Sequence, residues 1–354
     1  MSHITAKIKG IKYTPFLCRK LHSFSFKDLD KALQKEATFI LKIDENNEIA
    51  LSWWVSAKRT RSYPYARVYD SLSFSGRKVT IIPFVKDEGK DGDRDFLQWD
   101  TISLMSLLGI YVIIAYYDDA IQNQDFDKKI TEQKFDINYL KNQIENLLSY
   151  QSDALHWNLS QIDNISKIGE KALESYERIS KKLGVEMHSL ELAKERVEEL
   201  KKGKEVFMNL SRSLAEKAQK RESVTIQPKE KLDGVKGTIT ITNYLGGNYY
   251  FTSDEVELHE NNVYLIDAKH TKETKLPSLG DIKDGLLKMI LFSNLEDVKV
   301  DDKKMNPVSI LKLTTGDKFN LEKINKSQGK TLELLKKEAQ TNKFKILLNN
   351  KFLV

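Results

Sequence analysis

The spacing of apolar residues divides the chain of 354 residues into three regions. In residues 1–126, strand-like runs alternate with segments of helical spacing. Residues 127–222 are polar, contain no proline, and carry apolar residues three or four positions apart, a spacing typical of helices. Residues 223–354 return to alternating apolar and polar positions. We therefore expect an α/β protein in which an N-terminal α/β region and a C-terminal α/β core are separated by a helical arm or bundle.

The N-terminal region contains a hairpin pattern followed by a β-α-β pattern. The predicted elements, with the helix fourth, are Thr38–Ile43, Glu48–Val55, Val79–Val85, Phe96–Leu108 and Ile110–Tyr117. The turn of the hairpin falls at Asn46-Asn47. Two apolar runs around a helix predict parallel strands that are buried on both faces. Pro83 lies within the first of these runs and favours an edge position for that strand.

The composition and charge of the chain predict its cellular location and the kind of partner that it binds. The single cysteine, Cys18, is typical of a reducing cytoplasm, and no apolar run reaches the length of a transmembrane helix. The net charge of +6 is uneven, because the first 80 residues hold 15 Lys or Arg against 7 Asp or Glu. A basic end on a nearly neutral remainder suits a polyanionic partner such as DNA. We expect a cytoplasmic protein without a membrane partner.

A basic segment with interleaved tyrosines follows the predicted hairpin. Arginine and lysine can grip phosphates, and arginine can also read guanine edges. A basic surface turn without a partner would have the same composition. The candidate DNA contacts in this segment are Lys58, Arg59, Arg61 and Arg67.

An acidic loop, Asp87–Asp95, lies between a predicted strand and a predicted helix, where α/β proteins often place ligands. Its alternating aspartates resemble the start of an EF-hand loop, but Phe96 and Ile102 occupy the positions of the required glycine and glutamate. An EF-hand is therefore excluded. A second metal site and a solvated loop with internal ion pairs both remain open.

The segment 253–269 carries the strongest candidate chemistry. Residues 259–262, His-Glu-Asn-Asn, form a predicted turn between two strand-like runs, which indicates a hairpin. Side chains alternate along a strand, so Asp267 and Lys269 share a face with Val263 and Leu265. Charged groups at the end of an apolar strand must pair or bind a metal, because burying them alone is costly.

A third charged side chain from the first strand can join this pair. Asp254 begins that strand and shares a face with Val256 and Leu258, whereas a shift by one position would present Glu255 instead. Two carboxylates and a lysine would then converge. Carboxylate oxygens suit Mg²⁺, which can acidify a bound water and neutralise charge on a phosphate. The sequence predicts Asp254 and Asp267 as ligands of Mg²⁺, with Lys269 beside them.

This segment resembles the PD-(D/E)xK nuclease superfamily, which includes most type II restriction endonucleases. Asp254 matches the first acid, Asp267 the second acid and Lys269 the lysine of the motif. The resemblance implies a mixed sheet flanked by helices and Mg²⁺-dependent hydrolysis of phosphodiesters. Ser253 stands where the family usually has proline, and Asp267 where glutamate is commoner. The resemblance covers about 60 residues of the C-terminal region and neither of the other two.

The helix predicted after the hairpin resembles the helix that follows the catalytic strand in many restriction enzymes. Ser278 is a suitable N-cap with Asp281 three residues later, and helical spacing continues to Asn294. Lys283 and Lys288 on this helix are candidate DNA contacts, although solvated lysines would give the same pattern.

Together these features predict a mixed-sheet nuclease core in residues 223–354, a helical arm in residues 127–222, and an α/β region in residues 1–126 that recognises DNA. The expected activity is Mg²⁺-dependent cleavage of double-stranded DNA, as in a type II restriction endonuclease of a restriction-modification system. By analogy with cleavage at palindromic sites, we expect a homodimer. A repair or structure-specific nuclease of the same superfamily and a non-catalytic DNA-binding or helical-arm interaction protein are the alternatives.

Overall fold

A computed structural model describes residues 3–58, 63–201, 235–242 and 248–354. Its strands are β1 His3–Lys7, β2 Ser23–Ser25, β3 Thr38–Lys42, β4 Glu48–Trp53, β5 Lys78–Pro83, β6 Val85–Asp87, β7 Arg94–Phe96, β8 Tyr111–Ala115, β9 Tyr117–Gln122, β10 Ile130–Phe135, β11 Val235–Thr242, β12 Asn248–His259, β13 Asn262–His270, β14 Glu296–Val300, β15 Lys303–Lys304, β16 Asn306–Thr314, β17 Lys345–Leu348 and β18 Lys351–Phe352. Its helices are α1 Leu29–Lys35, α2 Pro64–Ser71, α3 Trp99–Leu107, α4 Ile137–Ser149, α5 Ala154–Asp163, α6 Ile165–Leu183, α7 Leu190–Lys201, α8 Leu279–Phe292 and α9 Lys326–Asn342. None of the helices in the described part of the chain combines the length and apolar character needed to cross a membrane.

The chain is an α/β protein with mixed sheets, and it divides into two compact units. The terminal unit comprises Met1–Lys20 and Ser213–Val354, and the inner unit comprises Leu21–Arg212. This division differs from the three regions predicted from the sequence. Residues 1–20 belong to the terminal unit because β1 pairs in parallel with β11 and antiparallel with β14. The helices between residues 137 and 201, which the sequence predicts as a separate arm, belong to the inner unit.

The terminal unit is built on a nine-stranded mixed sheet with the order β15-β14-β1-β11-β12-β13-β16-β17-β18. The predicted hairpin is present as β12 and β13, which pair antiparallel from Glu255 opposite Ile266 to His259 opposite Asn262. Glu260 in the turn has a φ of 54°, the left-handed conformation that two-residue hairpin turns require. On its other side, β13 pairs in parallel with β16. The strand that carries Asp267 and Lys269 is therefore an inner strand of the sheet.

Helix α8 packs across β13 and β16 and begins where the sequence predicts. The Ser278 hydroxyl accepts a hydrogen bond from the backbone N–H of Asp281 at 3.1 Å and donates one to its carboxylate at 2.6 Å. These bonds satisfy an otherwise unpaired N–H of the first turn. The apolar side of the helix, including Ile282, Leu286 and Met289, is buried. This packing fixes the helix against the face of the sheet that carries Asp267.

The inner unit is built on a five-stranded sheet with the order β2-β3-β4-β5-β8. The predicted hairpin is present as the antiparallel pair β3 and β4, and the predicted β-α-β unit as the parallel pair β5 and β8 joined through α3. The edge position predicted for the Pro83 strand is wrong, because β5 lies between β4 and β8. Pro83 is the last residue of the strand, where the absence of an N–H does not interrupt the ladder.

The helical arm predicted for residues 127–222 is also wrong for the described residues up to 201. Helices α4, α5 and α6 pack on β8 and β9, and the same region contains the strand β10, which was not predicted. Residues 202–222 of the predicted arm lie outside the described residues. Helical spacing identified the helices but not the sheet that they cover.

Side chains of α5 take the place of a further strand beside β8, which is the last strand of the five-stranded sheet. The amide of Asn158 accepts from Val112 N at 2.7 Å and donates to Ile110 O at 2.9 Å. Trp157 Nε1 donates to Val112 O at 2.8 Å. A helix that satisfies edge groups in this way protects them from pairing with another chain.

We expect Asn158→Ala to destabilise the inner unit by about 3 kcal/mol, because it leaves buried N–H and C=O groups without partners. All four tryptophans of the chain lie in this unit, so tryptophan fluorescence during urea denaturation reports on it directly. Asn146→Ala, at an exposed position on α4, is the control and should change the stability by less than about 0.5 kcal/mol. Equal losses in both variants would contradict the edge role of Asn158.

Candidate active site

The three residues of the predicted motif, Asp254, Asp267 and Lys269, meet on one face of the nine-stranded sheet. Val256 pairs with Leu265, and this register places Asp254 beside Asp267, two positions further along each strand. The backbone N–H of Ala268 donates to Asp254 Oδ2 at 2.8 Å. This bond ties the first acid to the strand that carries the second. The hairpin alone therefore brings the two carboxylates together.

Asp267 is the centre of the site and has no exposed surface. Lys269 Nζ lies 3.1 Å from its Oδ2, and Lys288 Nζ forms an ion pair with its Oδ1. Burial favours the neutral acid, but these two ammonium charges outweigh it and hold the pKa of Asp267 well below its usual range. Asp267 is therefore an ionised carboxylate in the interior of the protein.

Asp254 has the opposite electrostatic balance. Burial raises the pKa of Asp254 to about 6, the charge of Asp267 adds to this rise, and Lys288 and Lys269 only partly oppose it. Its side chain is nevertheless 26% exposed, more than any other charged side chain in the cluster. Two neighbouring carboxyl groups with pKa values displaced in opposite directions are typical of functional sites.

Helix α8 contributes two residues that the sequence reasoning did not assign to the site. Asp284 Oδ2 accepts a hydrogen bond from Lys269 Nζ at 2.8 Å. Lys288, one helical turn later on the same face, contacts both acids of the motif. The sequence signal that could have identified them is the i, i+4 spacing of Asp284 and Lys288 on the predicted helix.

Gly285 allows the helix to approach the site this closely. A Cβ atom at this position would lie 2.6 Å from Leu311 Cδ1 and 3.1 Å from both Asp267 Oδ2 and Lys269 Cε. A side chain here would therefore force the side chains of Leu311, Asp267 and Lys269, or the helix itself, to shift. The absence of a side chain here is what brings Asp284 and Lys288 into contact with the strand residues.

The five side chains form a continuous series of alternating charges. In order they are Asp254, Lys288, Asp267, Lys269 and Asp284. Lys288 Nζ lies 3.9 Å from Asp254 and forms an ion pair with Asp267, and Lys269 Nζ lies 3.1 Å from Asp267 and 2.8 Å from Asp284. Three carboxylates and two ammonium groups give a net charge of −1 when all are ionised. The site therefore carries a negative charge that a cation can neutralise.

The alternative first acid, Glu255, does not belong to this cluster. It pairs with Ile266 and so points to the opposite face of the sheet. There its carboxylate accepts a hydrogen bond from Lys312 Nζ at 2.7 Å, and both side chains are at least nine-tenths buried. The choice between Asp254 and Glu255 that the sequence left open is resolved in favour of Asp254 as the neighbour of Asp267.

The donor set can hold Mg²⁺ with two protein carboxylates. Both oxygens of Asp267 are buried, and the ammonium groups of Lys269 and Lys288 hold this carboxylate through ion pairs. Within the same described residues, no group of three or more His, Cys, Asp or Glu side chains could enclose a metal ion. Mg²⁺ commonly binds through one or two carboxylates and takes its remaining ligands from water and substrate phosphates. Asp254 and Asp267 fit this kind of site.

The candidate DNA contacts have very different surroundings. Arg67 donates to Trp53 O at 2.7 Å and its guanidinium lies over the Trp53 ring, so it is committed to contacts within the inner unit. Lys58 forms an ion pair with the buried Asp95. Arg59 and Arg61 lie outside the described residues. Lys283 and Lys288, the candidate DNA contacts on α8, are both buried, which also excludes the alternative of solvated lysines.

The acidic loop is a structured part of the inner unit. Asp87 and Asp95 lie in the two-stranded β6–β7 sheet, and both are buried with Glu88. Each has partners: Asp87 contacts His188 at 2.8 Å, Glu88 pairs with Lys86 at 2.7 Å, and Asp95 accepts from the Ser56 hydroxyl at 2.8 Å. These internal pairs favour a structural loop over a second metal site.

The fold and the charged cluster together define a class of protein: an α/β protein with two carboxylates and a lysine gathered on one face of a mixed sheet. No family model, curated protein or solved structure matches the chain.

Proposed function

We propose that this protein is a Mg²⁺-dependent endodeoxyribonuclease that hydrolyses phosphodiester bonds in double-stranded DNA, as a homodimeric type II restriction endonuclease does. The observation that carries the proposal is the convergence of Asp254, Asp267 and Lys269 on one sheet face, in the arrangement implied by the PD-(D/E)xK resemblance. The displaced pKa values of the two acids support a functional rather than an incidental cluster.

The side chains have distinct roles in this proposal. Asp254 and Asp267 would hold Mg²⁺, which supplies Lewis-acid neutralisation of charge on the phosphate. Asp284 and Asp267 fix the ammonium of Lys269, which can donate a hydrogen bond to the attacking water or to a phosphate oxygen. The water oxygen forms a bond to phosphorus while the bond to the leaving sugar oxygen breaks. One proton of the water passes to solvent, and the leaving oxygen takes a proton from solvent. The products are a phosphate monoester and a hydroxyl end.

DNA is the favoured substrate because the chain has a basic N-terminal segment as well as a candidate hydrolytic site. The first 80 residues have a net positive charge, and positive charge attracts a polyanion irrespective of the sequence of that polyanion. A repair or structure-specific nuclease would use the same site, and a non-catalytic DNA-binding protein would use the basic segment alone. Each alternative predicts a different result when the protein is incubated with DNA.

The test is to incubate the purified full-length protein with phage DNA in Mg²⁺ or in EDTA and to separate the products on a gel. We expect discrete fragments with Mg²⁺ and intact DNA with EDTA. Structure-dependent nicking of branched or mismatched duplexes without fragments would favour a repair nuclease. Retarded but uncut DNA under all conditions would contradict the proposed activity.

A further inference from the structure

The ammonium group of Lys288 is placed between the two acids that would bind a metal. Its Nζ forms an ion pair with Asp267 Oδ1 and lies 3.9 Å from Asp254 Oδ1. The side chain is only 8% exposed, so these contacts are made largely out of reach of solvent. The lysine therefore already provides the positive charge that neighbouring carboxylates require.

The helix keeps Lys288 at this position. Gly285, on the preceding turn, lies so close to the sheet that a Cβ atom there would be 3.1 Å from Asp267 Oδ2. Met289 and Ile290, which follow Lys288 directly, are buried and anchor this turn of α8. A cation that approaches both acids must therefore compete with a charge attached to a fixed helix, and only the flexible side chain of Lys288 can give way.

We propose that Lys288 is a positioning residue that acts as an internal cation, holding Asp254 and Asp267 together and competing directly with the divalent metal for their oxygens. This inference rests on the proposed function, since it concerns the same metal site. Lys288 keeps the site assembled in the absence of metal and weakens the affinity of the protein for metal. The metal and the Lys288 ammonium occupy the site in exchange for each other.

The net charge of the cluster predicts whether neutralising Lys288 raises or lowers the affinity for divalent metal. With Lys288 charged, the cluster has a net charge of −1, and without it the net charge is −2. Removing the lysine charge should therefore strengthen divalent metal binding, whereas a merely structural lysine would weaken it on removal by loosening the site. The sign of the change separates the two roles.

The experiment is a titration of the DNA-free, full-length protein with Mn²⁺, followed by electron paramagnetic resonance of the free ion. We expect Lys288→Met to bind Mn²⁺ more tightly than wild type by on the order of tenfold or more. Lys288→Arg, which keeps the charge, should bind within about threefold of wild type. Lys330→Met, an exposed lysine of α9 in the same unit, controls for net charge and should bind within about twofold of wild type.

Lys288→Gln provides a second neutral variant in case the methionine variant does not fold, and circular dichroism checks the folding of each. Neutral variants that bind Mn²⁺ as wild type does, or more weakly, would overturn the role of Lys288 and leave the proposed nuclease in place. No Mn²⁺ binding by any variant, with the neutral variants folded, would remove the metal site and with it both proposals.

Discussion

Asp267→Asn is expected to reduce the Mg²⁺-dependent cleavage of DNA by roughly a thousandfold or more. The substitution keeps the shape of the side chain and removes the charge that lies between Lys269 and Lys288. A metal ion contributes several kcal/mol of charge stabilisation in phosphoryl transfer. At about 1.4 kcal/mol for each factor of ten in rate, the loss of about 4 kcal/mol corresponds to this decrease. Initial rates of plasmid linearisation measure it directly.

The control for this variant is Asp301→Asn, which changes an exposed carboxylate in a turn of the same unit. Asp301 has a φ of 47°, which asparagine accommodates well, so this variant should retain its stability and its activity. Circular dichroism must show that Asp267→Asn is folded, because the variant leaves two ammonium groups with fewer partners. A folded Asp267→Asn protein that cuts DNA at the wild-type rate would place the activity elsewhere in the chain.

The part of the site that lies on the hairpin was accessible from the sequence because its geometry is local. Alternation along β13 places Asp267 and Lys269 on one face, and a two-residue turn then determines which residues of β12 lie opposite. The preference for Asp254 over Glu255 followed from the faces of Val256 and Leu258. These are short-range properties of a strand pair, and no knowledge of the remaining fold was needed to infer them.

The part of the site that lies on α8 was not accessible in the same way. The helix and its cap were predicted, yet Lys288 was considered only as a DNA contact and Asp284 was not considered at all. Their positions depend on how closely the helix packs on β13 and β16, and that distance depends on the missing side chain of Gly285. Contacts between elements distant in sequence are not contained in the periodicity of either element.

The same limit explains the errors in the overall fold. The β-α-β unit of the inner unit was predicted because strand, helix and strand follow one another directly. The pairing of β1 with β11 joins segments that are far apart in the sequence, with His3 opposite Thr238, so no local pattern marks it. The helices after residue 136 have the apolar spacing of a bundle, but they use it to cover β8 and β9. The apolar face of an amphipathic helix predicts that the helix packs against another element, but it does not identify that element.

Lys312→Met is expected to destabilise the terminal unit by about 3–5 kcal/mol, because it leaves the carboxylate of Glu255 buried without its partner. Urea denaturation followed by far-ultraviolet circular dichroism, with hydrogen exchange of β13 and β16 peptides, measures the loss in this unit. The tryptophan signal reports on the other unit, since no tryptophan lies in the terminal unit. Lys299→Met, an exposed lysine of the same sheet, should change the stability by less than about 0.5 kcal/mol.

The double variant Glu255→Leu, Lys312→Met should recover most of this loss, since replacing a buried ion pair with apolar residues of similar size is often neutral or stabilising. If the loss of stability in the double variant equals the sum of the losses in the two single variants, the two residues do not interact as a pair. The pair lies on the opposite face of the sheet from Asp267, so neither substitution replaces a side chain of the candidate active site.

The ion pair of Glu255 and Lys312 also affects the register of the hairpin formed by β12 and β13, and therefore the candidate active site. A shift of β12 by one residue would move Glu255 to the face of Asp267 and Asp254 away from it, because strand side chains alternate with a period of two. Lys312 binds Glu255 on the opposite face and so opposes that shift. We therefore expect the double variant to recover most of the stability yet to populate a second register, detectable as doubled amide resonances of β12 and β13. A single set of resonances would show that the other residues of the hairpin fix its register without this ion pair.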